Sequence, residues 1–136
     1  MENVRIREMK IGDYEGVSEL WHSIQGFAIR SIDDSPKGVE AFLNRNPGMS
    51  VVAELDKRII GAILCGHDGR RGCLYHVCVH PDHRLKGIGK SMVLYCMNAL
   101  KDEHINKVSL IAFTRNDVGN AFWKEIGWTR REDLNY

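Results

Sequence analysis

Residues Val77 to Lys90 constrain this chain more than any other stretch. An apolar strand, Val77-Cys78-Val79, ends at His80-Pro81. A short loop through Asp82, His83, Arg84, Leu85 and Lys86 follows, and a helix opens at Gly87-Ile88-Gly89-Lys90. The first amides of a helix have no intrahelical acceptor, and the helix dipole favours negative charge there. Glycine lets the backbone approach a phosphate closely. Arg84, Lys86 and Lys90 add positive charge. The segment therefore predicts a site for a phosphate-bearing ligand on an α/β framework.

Three kinds of phosphate loop compete for it. A dinucleotide fingerprint needs a third glycine where Met92 stands. A Walker A loop matches Gly89-Lys90-Ser91 but needs glycine where Arg84 stands. The chain is also short for a nucleotide hydrolase, and its order of elements is wrong for one. The third kind is a pyrophosphate loop of a coenzyme site.

The rest of the chain supplies the context. Val4 to Met9 alternates apolar and polar residues, as a strand does. Asp13 can cap a helix from Tyr14 to about Gln25, stopped by Gly26. Ser35 and Pro36 suit the N-cap and first position of a second helix, which Asn46-Pro47-Gly48 breaks. Ser50 to Leu55 and Arg58 to Gly66 read as a hairpin turned at Asp56-Lys57. Cys73 to Val79 is apolar on both faces and is expected to be central and doubly covered. A helix from Gly87 to Glu103, a strand from Lys107 to Phe113, a helix from Val118 to Ile126 and a strand from Trp128 to Leu134 complete the order. That order, β-α-α-β-β-β-α-β-α-β, predicts an α/β class with a mixed sheet and helices on both faces.

At 136 residues the chain makes a single domain, 1–136, large enough for its own core. Nineteen Lys and Arg oppose 18 Asp and Glu, which argues against nucleic acid as partner. No stretch approaches the roughly 20 apolar residues of a membrane span, and Met1 to Arg5 does not begin a signal peptide. No membrane partner and a cytoplasmic location are expected. Cys65, Cys73, Cys78 and Cys96 form no CxxC pair and read as reduced, small apolar residues. Cys73, His76, Cys78, His80 and His83 lie close in sequence but fit no standard zinc spacing, so no metal is expected.

The motifs together resemble the GNAT superfamily of N-acetyltransferases. Its signature, Arg/Gln-x-x-Gly-x-Gly/Ala after a strand ending in Val-x-Pro, is similar to Val79-His80-Pro81 followed by Arg84-x-x-Gly87-x-Gly89. Asn116 to Trp128 resembles the superfamily's Asn-x-x-Ala-x-x-x-Tyr-x-x-x-Gly-Phe, with Gly119 in place of the alanine. Ser31-Ile32-Asp33-Asp34-Ser35, Gly66-His67-Asp68-Gly69-Arg70-Arg71-Gly72 and Phe122-Trp123 are similar to segments of small stand-alone bacterial members of undefined substrate.

The resemblance implies acetyl-CoA as cosubstrate and direct attack by the primary amine of a small molecule or peptide. It implies that the strands Cys73 to Val79 and Lys107 to Phe113 splay apart around the pantetheine arm. Val77, Cys78 and Val79 would pair with that arm, and an N–H near Val79 would polarise the thioester carbonyl. Arg84, Leu85, Lys86, Gly87, Ile88, Gly89 and Lys90 would hold the pyrophosphate, with Asn116 and Trp123 also at the coenzyme. Trp123 replaces the tyrosine that often protonates the departing thiolate, and an indole does not supply that proton. A catalytically silent coenzyme-binding module is the alternative, and a homodimer is left open.

The base is not evident. Tyr75 is a candidate to hold a proton-carrying water. Asp68 is a candidate carboxylate, or else a turn residue bonding its own backbone. His76 alternates with Tyr75, so it is expected on the opposite face as a hydrogen-bonded core histidine. Trp21, Phe27, Arg30, Asp33 and Asp34 are candidates for the acceptor site, where two aspartates would suit a cationic amine. Asp34 and Ser35 alternatively cap a helix. Arg70 and Arg71 either draw an acidic acceptor or form a solvated turn.

Overall fold

The computed structural model describes residues 3–136; Met1 and Glu2 lie outside the described residues. Five strands form one sheet in the order β1 (Arg5–Glu8), β2 (Val51–Leu55), β3 (Arg58–His67), β4 (Arg71–Val79) and β5 (Lys107–Ser109). The first four are antiparallel neighbours, and β5 runs parallel to β4. Asp56 and Lys57 both take positive φ, 50° and 66°, the geometry of the tight two-residue turn expected between β2 and β3.

The alternation of β2 divides the core between the two faces. Val51 and Ala53 face α3 (Ile88–Asp102), packing with Met92, Val93, Cys96 and Leu100. Val52 faces the other way, toward Val17, Leu20 and Trp21 of α1 (Tyr14–Ser23) and Val39 of α2 (Pro36–Arg45). Ser35 caps α2, accepting from the Gly38 N–H at 3.0 Å, with Pro36 at the first position, as the sequence predicts. Among the described residues no helix is long and apolar enough to cross a membrane.

Three expectations need correcting. The doubly covered strand is β3, buried from Ile59 to Gly66, whereas β4 is half-open. The reason is that β5 is only three residues long and pairs with Arg71, Gly72 and Cys73 alone. Second, residues 128–134 form no strand. Thr129 to Asp133 offers no apolar face to bury, and its charges pair locally: the Arg131 guanidinium donates to Asp133 at 2.9 and 2.8 Å. The last regular element is therefore α4 (Asp117–Glu125).

Third, Tyr75 and His76 share a face. Ala62 pairs with Cys78 and Leu64 with Tyr75, so Ile63 alone opposes both His76 and Val77. This is a β-bulge, with His76 in the left-handed region at φ 50°. The extra residue resets the alternation. Tyr75 meets Phe42 of α2, and His76 meets Trp21 and Phe27, all on the α1–α2 face.

Candidate active site

The site begins where β4 loses its partner. From Leu74 to Val79 the strand pairs with β3 on one side, while on the other no strand among the described residues continues the ladder beyond Cys73–Ser109. Six residues of strand give an open slot roughly 20 Å long. Its far wall is the segment after β5, whose Ile111 and Phe113 are exposed. The Asn120 amide donates to the carbonyls of Phe113 and Thr114 at 3.2 Å each, tying that wall to α4. Asn116 caps α4 by accepting from the Gly119 N–H at 3.1 Å. A Cβ at position 119 would collide with the Asn116 amide, which explains glycine where the motif has alanine.

At the end of β4 the slot meets the phosphate-type loop. A 3-10 turn, Pro81–His83, follows His80. Arg84 Nε donates to the Val79 carbonyl at 3.1 Å and pins the loop to the strand end. Leu85 holds φ 63° with its side chain fully exposed, and Gly87, the N-cap of α3, holds φ 81°. A left-handed leucine costs on the order of 1 kcal/mol, a cost that recurs where a loop is shaped for a ligand. The first hydrogen bond at this end of α3 runs from Ser91 N to Gly87 O at 3.1 Å. The amides of Ile88, Gly89 and Lys90 therefore point out of the helix end without intrahelical acceptors. Gly89 is close to Phe122 as well, since a Cβ there would lie 3.2 Å from that ring. These features fit a pyrophosphate: outward amides, a helix N-terminus and no side chain in the way.

Beside the bulge lies a polar cluster that the sequence did not announce. His76 Nε2 sits 2.9 Å from both carboxylate oxygens of Asp34. Asp34, only 6% exposed, also accepts from the Arg30 N–H at 2.7 Å, and its carbonyl accepts from the Tyr14 hydroxyl at 2.6 Å. The adjacent aspartates are thus split, with Asp34 turned inward and Asp33 exposed. The capping task falls to Ser35 rather than Asp34. Trp21, 1% exposed, and half-buried Phe27 wall the imidazole; Arg30 is exposed at the rim.

The other candidates are weak bases. Asp68 lies in the turn between β3 and β4, and its carboxylate accepts from the Arg71 and Arg70 N–H groups at 2.8 Å each. Those backbone bonds hold it below the usual carboxylate range, so Asp68 serves the turn. A hydrogen bond with Cys73, together with partial burial, pushes the Tyr75 phenol up to about 12. Burial raises the Cys73 thiol and pushes the Cys78 thiol up to about 12. Both thiols near the slot keep their protons and are poor nucleophiles.

Trp123 meets Phe122 edge-on and Trp128 at a tilt, with centroids 5.0 and 4.9 Å away, and is half-buried against the α3 core. Among the described residues no group of His, Cys, Asp and Glu is arranged to hold a metal.

The Acetyltransferase (GNAT) family profile matches residues 15–128. The chain belongs to the GNAT acetyltransferase family. An acetyltransferase from Pectobacterium atrosepticum is 32% identical over 90% of this chain and 86% of its own length. One from Sodalis glossinidius is 28% identical over 96% and 91%. PaiA N-acetyltransferase from Thermoplasma acidophilum, in complex with coenzyme A, has the same fold, with a TM-score of 0.84 at 21% identity over 98% of this chain and 93% of that one. This GNAT protein is accordingly an N-acetyltransferase.

Proposed function

We propose that this GNAT enzyme moves the acetyl group of acetyl-CoA to the primary amine of a small molecule or peptide, in a cytoplasm that keeps its four free cysteines reduced. The observation that carries the reading is the continuity of the β4–β5 slot with the amide-rich start of α3. The coenzyme supplies an acetyl group activated as a thioester. The edge of Val77 to Val79 suits an extended amide-bearing arm. The loop from Arg84 to Lys90 suits the pyrophosphate, with Lys90 adding charge and Asn116 holding the opposite wall. The amine attacks directly, since the Cys73 and Cys78 thiols are held protonated and cannot readily carry the acetyl group as an intermediate.

The Tyr75 phenol, which keeps its proton, can donate a hydrogen bond to the departing thiolate and relay to it the proton the amine loses, a role the Trp123 indole cannot fill. Exposed Asp33 and Arg30, with Phe27, would meet the acceptor, and exposed Asp33 favours a cationic amine. The indole at Trp123 motivates a second reading, a coenzyme-binding module without turnover.

One experiment separates the two. CoA is titrated into the protein, and thiol release from acetyl-CoA is followed with n-butylamine, spermidine, lysine and an alanyl peptide. Binding with amine-dependent thiol release is expected. Binding without release from any amine would favour the silent module, and no binding would remove both readings. Gly89→Trp should abolish CoA binding. Because position 89 also abuts Phe122, the variant's melting temperature must be measured beside it.

A further inference from the structure

We propose that His76 is the base that takes the proton from the attacking amine, and that Asp34 is its positioning residue. The proposal rests on the acetyltransferase reading above.

The bulge carries the argument. A regular strand would place residues 75 and 76 on opposite faces. The extra residue turns both to the α1–α2 face, at the stretch of β4 whose other edge is open to the slot. His76 pays for this with a left-handed backbone, and a β-bulge with such strain is a recurrent device for aiming a side chain at a functional site. Asp34 engages Nε2 through both oxygens, which selects the tautomer carrying the proton on Nε2 and leaves Nδ1 as the acceptor. The side chain of His76 keeps 21% of its surface exposed, against 4% for Asp34, so the imidazole is the member of the pair a substrate can reach. Asp34 is in turn fixed by the Arg30 N–H and, through its carbonyl, by Tyr14. A base oriented by a third, buried group is the arrangement that proton abstraction requires.

The chemistry balances without a further reactant. One ammonium proton passes to Nδ1 of His76, and the imidazolium is stabilised by the adjacent Asp34 carboxylate. The amine nitrogen then forms its bond to the acetyl carbon as the carbon–sulfur bond breaks. The remaining excess proton on nitrogen balances the thiolate, with Tyr75 as the relay, and His76 returns its proton to water.

A purely structural role, tying the bulge to the α1–α2 connection, is the competing account. Chemical rescue separates the two. His76→Ala is expected to lose at least ~100-fold in turnover of the best amine of the panel, to keep CoA affinity within about twofold, and to regain turnover with added imidazole. Unchanged turnover, or a loss that imidazole does not relieve, overturns the proposal. If His76→Ala does not fold, His76→Gln carries the test. Its amide can still bond Asp34 but cannot take the proton, so a kcat like the parent's overturns the proposal and a fall of that size at unchanged CoA affinity supports it. Nitrogen-15 spectra supply a readout independent of activity. The parent should show the Nε2–H tautomer and Asp34→Asn a mixture, whereas an Nδ1–H tautomer in the parent overturns the assignment. A parent without amine-dependent thiol release would defeat the acetyltransferase reading and this proposal together. A parent with release that the variants retain defeats this proposal alone.

Discussion

At the residue scale, the site shows how neighbours decide what a side chain can do. Tyr75, Cys73 and Cys78 sit beside the slot with oxygen or sulfur to offer, yet hydrogen bonding and burial hold the proton on each. Tyr75 is therefore suited to donate a hydrogen bond or relay a proton, and not to serve as the resting base. Tyr75→Phe is expected to lower kcat by roughly tenfold to a hundredfold while CoA affinity in a titration stays unchanged. A variant with the parent's kcat would assign thiolate protonation to water. Much of the shape of the loop before α3 was legible at this scale, because Gly87 at the N-cap carries its reason in its chemistry. The partnership of Asp34 with His76 was not legible. The two are 42 positions apart, and nothing local marks a bulge.

At the element scale, the short β5 matters as much as any side chain. Had Leu110 to Phe113 continued the ladder, the edge of β4 would be closed and there would be no slot. The sequence suggested a strand over that whole stretch because its apolar residues suit one. The pattern could not tell an apolar segment that pairs from one that lines an opening. The missing strand at residues 128–134 has the opposite origin, since charged residues left no face to bury.

Another junction holds the opposite edge of the sheet. The Arg7 guanidinium of β1 donates to both oxygens of Asp13 at 2.8 Å and to Glu54 of β2 at 3.2 Å. Both side chains of the Arg7–Asp13 pair are largely buried, at 23% and 14% exposure. The hydrogen bonds from Arg7 hold the Asp13 carboxyl below its ordinary range, and Arg7 stays charged throughout. A carboxyl depressed in the fold contributes stability above its unfolded value, roughly pH 3.9. That contribution fades as pH falls through the lower folded value. Asp13→Asn should therefore lose about 1.5 kcal/mol, or roughly 5 °C of melting temperature, at pH 7. The gap to the parent should narrow on acidification below the unfolded value and close once pH has fallen through the lower folded one. A gap independent of pH would show that the charge of Asp13 contributes nothing.

At the scale of the whole molecule, one sheet separates two faces of different character, to which the proposed function gives different tasks. The α3 face presents the helix N-terminus that suits the donor's pyrophosphate, and the α1–α2 face presents His76, Asp34 and Tyr75, suited to the acceptor. The slot lies between them, where β4 and β5 part beyond Cys73 and Ser109. Class, and the order of elements as far as α4, were readable from periodicity and glycines. The slot itself was not, because it depends on how far β5 pairs with β4. The most direct test of this arrangement is the amide spectrum of the labelled protein as CoA is added. Saturable shifts concentrated at Val77 to Val79 and Leu85 to Lys90, with smaller ones at Asn116, are the expected result. Shifts gathered elsewhere on the sheet, or none at saturating CoA, would contradict the account.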